Sequence, residues 1–212
     1  MSKLPHGLML LVLLSGSVIS GPVFAGIDEG IEYMEIKPPV LTSAANKTEV
    51  VEAFTYACPH CFQFEPHVST WKKQLASNVE FIRFPVIFPR WPETEPLARA
   101  FYTAESLGVL EKLHIPLFEA IHNKKRDIYS DEKMAAFFTE HGVNKKDFLD
   151  TYRSFSIDSK IRRAQELTNT YQVEGVPTMI VNGKYRTSSK YAGTNEATLK
   201  IVDHLIKKGS SK

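Results

Sequence analysis

Apolar and polar positions along this chain follow two periods, and the switches between them mark its elements. The nearly continuous apolar run Val50-Val51-Glu52-Ala53-Phe54-Thr55-Tyr56 predicts a central parallel strand covered on both faces. A helix is expected from Pro59, because proline at a first helical position lacks only an N–H that would have no partner there. Pro66, about two turns in, is expected to kink or restart that helix. Val68, Trp71, Lys72 and Leu75 then carry it to about Ser77-Asn78. Val79 to Val86 alternates at its start and reads as a second strand, which completes a strand–helix–strand unit. Upstream, Ile31 to Ile36 alternates roughly and reads as a short edge strand.

Beyond Val86 the texture changes. Pro85, Pro89, Pro92 and Pro96 break the chain, and from about Glu95 to Asp158 every pattern is helical. Leu97, Ala100, Phe101, Ala104 and Leu107 share one face, with Gly108 as a stop. Leu110, Leu113, Leu117, Phe118 and Ile121 make a second helix, Ser130-Asp131 opens a third that closes at His141-Gly142, and Lys145 starts a fourth. Lys160 to Tyr171 is a further helix, Gly175 to Tyr185 reads as strand, Asn182-Gly183 turn and strand, and Asn195 to Lys207 closes the chain as a helix. The expected fold class is α/β, with sheet-forming parts at 26–88 and 159–212 and a helical insertion at 89–158.

The N-terminus follows a different logic. A thin polar start with Lys3 and His6 precedes the apolar block Gly7 to Leu14, then Ser, Gly and Pro loosen the pattern up to Val23-Phe24-Ala25. Small residues at the −3 and −1 positions predict a signal peptide over 1–25, cleaved after Ala25. An uncleaved anchor is the other reading, but the apolar block is short and interrupted. The expected mature protein is exported, without stable membrane insertion, into a compartment where disulfides persist. A formal charge of +2 gives no global pull toward nucleic acid or anionic lipid.

The chemistry concentrates in Cys58-Pro59-His60-Cys61, which holds both cysteines of the chain. On a first helical turn two thiols at this spacing reach bonding distance, and Cys58 lies near the unpaired N–H groups and the positive end of the helix dipole, where a thiolate is stabilised. Cys61 would be the resolving thiol, and His60 a second stabiliser by hydrogen bond or charge. The same spacing serves as half of a zinc site, but four ligands are needed and His67 is the nearest further candidate. A purely structural bridge over so small a loop would remove little chain entropy. Glu52 is a carboxylate in an apolar strand, six residues before Cys58. It either accepts or relays the proton of Cys61 or sits on the solvent side of a one-faced strand. Val176-Pro177 opens a strand pattern, and both a cis and an ordinary trans bond remain open there.

Three features together resemble the DsbA family: Cys58-Pro59-His60-Cys61 behind the strand carrying Glu52, Gly175-Val176-Pro177-Thr178 followed by Asn182-Gly183-Lys184-Tyr185, and the helical insertion between them. Members of that family are periplasmic thiol:disulfide oxidoreductases with a thioredoxin-like fold interrupted by a helical domain. The chain departs from the usual pattern at Tyr56-Ala57, which is less aromatic. The resemblance implies that Cys58 is the nucleophile with a strongly lowered pKa, Cys61 the buried resolving thiol, His60 the tuner beside Pro59, and Glu52 the buried acid. It implies that Val176-Pro177 is a cis-proline loop touching substrate backbone. It implies no cofactor beyond a redox-active Cys58–Cys61 disulfide, cysteine pairs of unfolded exported proteins as clients, and a DsbB-like membrane quinone reductase as reoxidant. An isomerase or reductase on the same chemistry, or a non-catalytic peptide-binding module of chaperone type, is the alternative. Trp91 and the insertion's Phe and Tyr residues either line a peptide groove or fill the core, and Lys124-Lys125-Arg126 reads as a solvated loop.

Overall fold

The computed structural model describes residues 26–42 and 46–210, so the expected signal peptide lies outside the described residues. The strand centred on Glu52 is β2 (Thr48–Phe54), preceded by β1 (Met34–Glu35) and followed by α1 (Pro59–Lys72) and β3 (Val79–Pro85). Five helices come next: α2 (Thr94–Ser106), α3 (Leu110–His122), α4 (Asp131–Glu140), α5 (Lys145–Tyr152) and α6 (Phe155–Thr170). The chain then returns to the sheet with β4 (Thr178–Val181) and β5 (Tyr185–Thr187), and ends in the short α7 (Ser189–Ala192) and α8 (Asn195–Ser210).

The strands form one sheet in the order β1-β5-β4-β2-β3. As its apolar run predicts, β2 is an interior strand, buried at all seven positions, but its neighbours differ in direction: β3 is parallel and β4 antiparallel. Successive strand residues serve opposite faces, as the period of two requires. Val50, Met179 and Val181 pack with Phe64, Val68 and Trp71 of α1 and with Leu199, Val202 and Leu205 of α8. Val51, Ala53 and Ile180 belong to the larger core that continues through Leu97, Phe101, Leu117, Phe118 and Ile157 of the helical block. Trp71 ties the first face together through an Nε1–H donated to Asp203 at 2.8 Å.

Three local expectations change. Pro66 does not restart α1, which runs through it as one helix. The proline removes one N–H, yet Phe64, Val68 and Trp71 bury the same helix against the sheet, and that burial outweighs one lost bond. The helix also stops at Lys72, short of Ser77-Asn78, because Gln74 and Val79 N–H groups turn back to the Trp71 and Ala76 carbonyls. Helix α6 begins at Phe155, where Ser154 caps it by accepting from the Ile157 N–H, so the 158/159 boundary read from the sequence falls inside a helix. Asp158 is held there by Arg99 of α2 at 2.8 Å, which makes α6 part of the helical block.

The Asn182-Gly183 turn is found as expected. Both residues have positive φ, 52° and 61°, in a turn closed by the Lys184 N–H donating to the Val181 carbonyl, just inside the Val181–Tyr185 pair. A Cβ on Gly183 would lie 2.1 Å from the Val40 carbonyl oxygen, so close approach as well as conformation requires glycine. Among the described residues no helix is long and apolar enough to cross a membrane.

Candidate active site

Cys58 is the N-cap of α1, with extended φ and ψ of −89° and 117°, and Pro59 follows as the first helical residue. This places the Cys58 sulfur over the free N–H groups of the first turn. Its S–H donates to the Val176 carbonyl at 3.5 Å, so the loop carrying Val176-Pro177 lies directly against the thiol. The Val176–Pro177 bond is cis. His60 and Pro59 are exposed at the rim, Val176 is half-buried, and Cys58 itself is 3% exposed. Both cysteines are free thiols here.

The two sulfurs meet opposite environments. The Cys58 pKa is lowered to about 6, first by a hydrogen bond from the Cys61 thiol and against the effect of burial. The backbone N–H groups of Cys61 and His60 add to the lowering, and the His60 charge contributes last. Cys61 is 1% exposed, and burial pushes its thiol well above the ordinary value. The bond it gives to Cys58, the negative charge that collects there and the charge of Glu52 push the same way.

Glu52 is not on a solvent-facing side. It is 1% exposed and reaches Arg83, its parallel cross-strand partner on β3, whose Nε–H donates to Oε2 at 2.6 Å. Arg83 also donates from Nη2 to Glu65 of α1 at 2.7 Å. His114 of α3 completes the cluster, with Nε2 2.9 Å from Arg83 Nη1 and 3.2 Å from Glu65 Oε2, and Nδ1 2.8 Å from the Tyr56 hydroxyl. Two carboxylates thus share one guanidinium out of water. Burial raises the Glu52 pKa, Arg83 opposes it, and the neighbouring Glu65 charge adds to the rise. Burial also acts most strongly on Glu65, but His114 and Arg83 together outweigh it and hold that carboxyl below its usual value. Glu52 is therefore the member of the pair that favours a proton, and its charge is felt at Cys61.

Arg83, Glu65 and His114 were not singled out from the sequence, and Tyr56 was named there without a role in this cluster. Two signals point to Glu65 and His114. Glu65 stands four residues after Cys61, on the same helical face, and His114 occupies a core-facing position between Leu110 and Leu117. Tyr56 packs edge-on to Phe54 and Phe118 with centroids 5.1 and 4.8 Å away. It is a core residue. His122 closes the same region by donating from Nε2 to the Tyr56 carbonyl at 2.8 Å and stacking on Phe62. Trp91 is exposed and packs on Phe88, and Arg126 of the basic run forms a two-pronged ion pair with Glu140. Among the described residues no group of three or more His, Cys, Asp or Glu side chains is placed to hold a metal ion.

A groove of about 690 Å³ opens beside the thiol, running from His60 and the Val176–Thr178 loop to the turn between α7 and α8. The arrangement is a nucleophilic thiol at a rim, a proton-retaining thiol below it, a buried acid beneath both and an open groove alongside.

Comparison with known proteins agrees with this geometry. The family model described as a DSBA-like thioredoxin domain matches residues 82–197. The thiol:disulfide interchange protein DsbA of Pseudomonas aeruginosa is 42% identical over 96% of both chains, and that of Burkholderia cepacia is 36% identical over 100% of this chain and 99% of its own. The crystal structure of Pseudomonas aeruginosa DsbA superposes with a TM-score of 0.83 at 43% identity, covering 87% of this chain and 95% of that one. The oxidoreductase DsbA from Xylella fastidiosa gives 0.79 at 31% identity, covering 85% and 96%. With the cysteine pair, the thioredoxin-like sheet and the inserted helices in place, the chain belongs to the DSBA-like thioredoxin domain family.

Proposed function

We propose that this protein oxidises cysteine pairs of exported proteins by giving away a Cys58–Cys61 disulfide. The observation that carries the reading is the opposite tuning of the two thiols. At pH 7 a thiol with a pKa of about 6 is roughly nine-tenths thiolate, and that stabilisation exists only when the pair is reduced. The disulfide form lacks it, so the protein gains by accepting two electrons.

The reaction runs in two exchanges. A client thiolate attacks the Cys58 sulfur, a client–Cys58 bond forms, and the Cys58–Cys61 bond breaks. Cys61 leaves with the electron pair and takes up a proton, which its raised pKa favours. Glu52 is the proposed source of that proton and its acceptor on reoxidation. The second client thiolate then attacks the client sulfur of the mixed disulfide and expels Cys58 as thiolate. The client has lost two electrons and gained a disulfide, and the protein holds the dithiol. A low-pKa Cys58 is a good leaving group, which speeds this last step. Val176-Pro177 lies where it can hold the client backbone across the thiol, and His60 contributes positive charge at the rim.

The compartment proposed is the periplasm, from the segment preceding Gly26 and the family's usual location, and the proposed reoxidant is a DsbB-like membrane quinone reductase, by the family resemblance. The test is oxidation of a reduced, unfolded protein with one native disulfide by the purified, oxidised chain. Cys58→Ser and Cys61→Ser should each abolish it, since neither variant can hold the Cys58–Cys61 disulfide that supplies the oxidising equivalents. Undiminished oxidation by Cys58→Ser would end the oxidase reading.

A further inference from the structure

The groove beside Cys58 has an uneven charge distribution that the thiol chemistry does not use. Arg186 of β5 lines it, 8% exposed, and its Nη2 donates to Glu174 Oε1 at 3.1 Å. Its Nε is buried without a hydrogen-bond partner among the described residues. Lys190 of α7 lies 3.6 Å from the other oxygen of the same carboxylate. Two cations therefore share one acid, and that acid stands on an exposed side chain in the loop leading into Val176. At the far end of the groove stands an acid instead, Glu196, 3.3 Å from His67. Arg186, Lys190 and Glu174 together leave one positive charge at that end, carried at the exposed rim by Lys190, where salt screens it. A buried guanidinium with an unsatisfied N–H is also a cost that a further acceptor nearby can reduce.

We propose that this groove selects client segments bearing a carboxylate side chain near the reacting cysteine, with Arg186 and Lys190 as the specificity-determining residues. The inference rests on the reading of the chain as an oxidase of client cysteine pairs. A client carboxylate joins Glu174 between the two cations or replaces it, and Glu174 acts as the chain's own stand-in while the groove is empty. A client lysine at the same place meets both cations and is disfavoured. An extended client advances about 3.3 Å per residue, so the preference is confined to one or two positions on one side of the cysteine. Removing Glu174 strengthens it.

The experiment uses the oxidised full chain and dithiol peptides that differ by a single Asp, Asn or Lys, scanned along both sides of the reacting cysteine. At one or two positions kcat/KM should fall in the order Asp, Asn, Lys, with Asp over Lys on the order of fivefold at low salt and converging at high salt. The ratio should collapse in Lys190→Gln and in Arg186→Gln and widen in Glu174→Gln. Because each variant is judged on its own ratio, a general loss of activity cancels, and Lys190, whose side chain is exposed, covers the case in which Arg186→Gln fails to fold. Equal rates for all peptides, or an order that survives in Lys190→Gln, would overturn the proposal while the oxidase reading stands. Failure to oxidise any peptide would overturn both.

Discussion

The rim of α1 and the interior one turn beneath it handle negative charge in opposite ways. At the rim, Cys58 meets a neighbouring thiol donor, backbone N–H groups and an exposed imidazole, and its charge is stabilised. Beneath, Cys61 is buried and feels the charge of Glu52, one of two buried carboxylates that the Arg83 guanidinium serves, and new negative charge is resisted. Three residues of separation on one helix thus produce a leaving thiolate and a proton-holding thiol. The difference comes from what each sulfur meets, and the spacing alone would serve zinc equally well.

The sharpest way to break this contrast is to remove its central cation. Arg83→Met would leave Glu52 and Glu65 buried with only His114 against them. We expect a loss of about 3–5 kcal/mol of stability in urea unfolding, the range for breaking one side of a buried ion pair. The triple change Glu52→Gln, Arg83→Met, Glu65→Gln should regain most of it, since no uncompensated charge remains. A single variant within about 1 kcal/mol of the parent would mean that water reaches the carboxylates and that the interior is not the dry region described.

That cluster also marks where sequence reading stops. Glu52 was legible because one carboxylate in an apolar strand is costly, and the cysteine pair because of its place between strand and helix. Arg83 was not, since its role depends on parallel register, which pairs it with Glu52 through the crossover of α1. The register is a tertiary outcome, and Arg83 by itself reads as one polar position in an alternating strand. His114 needs α3 to pack over the end of β2 before its ring can meet Glu65. Pro66 teaches the converse: a local rule against helix continuity yields where the same helix buries Phe64, Val68 and Trp71. The two halves of the sheet and the helical block were readable because hydrophobic period survives without knowledge of partners, and α7, four residues long, offers no such period.

At the rim the stabilised charge makes folding depend on pH. Cys58 is lowered from an unfolded value of about 8.5 to about 6 in the folded dithiol. A depressed acid contributes stability that is fully present above the unfolded pKa and lost as pH falls through the folded one. Reduced protein should therefore gain about 3 kcal/mol relative to Cys58→Ser between pH 5 and 9, with most of the change between about 6 and 8.5. Urea unfolding of both forms across that range measures it. A constant difference would show that folding does not perturb the thiol.

Glu52→Gln separates the two regions kinetically. Glutamine keeps the shape and can still accept from Arg83, but it cannot take a proton. Steps that deprotonate Cys61, such as reaction of the reduced chain with a small disulfide, should slow roughly tenfold, the low end for a lost proton acceptor where water remains a substitute. The Cys58 titration, followed by thiolate absorbance, should stay near 6. A shift of Cys58 without a change in the Cys61 step would reverse the assignment of Glu52.

The smallest effect distinguishes backbone from side chain at the rim. His60 acts on Cys58 twice, through its N–H and through its imidazole charge, and the charge is the weaker influence. His60→Ala keeps the N–H and deletes the charge, and the ring is exposed, so its field is screened by water and salt. The Cys58 pKa should rise by roughly half a unit, and the rise should shrink further at high salt. A rise of two units or more would place most of the tuning in the imidazole, and the free N–H groups at the start of α1 would then be secondary.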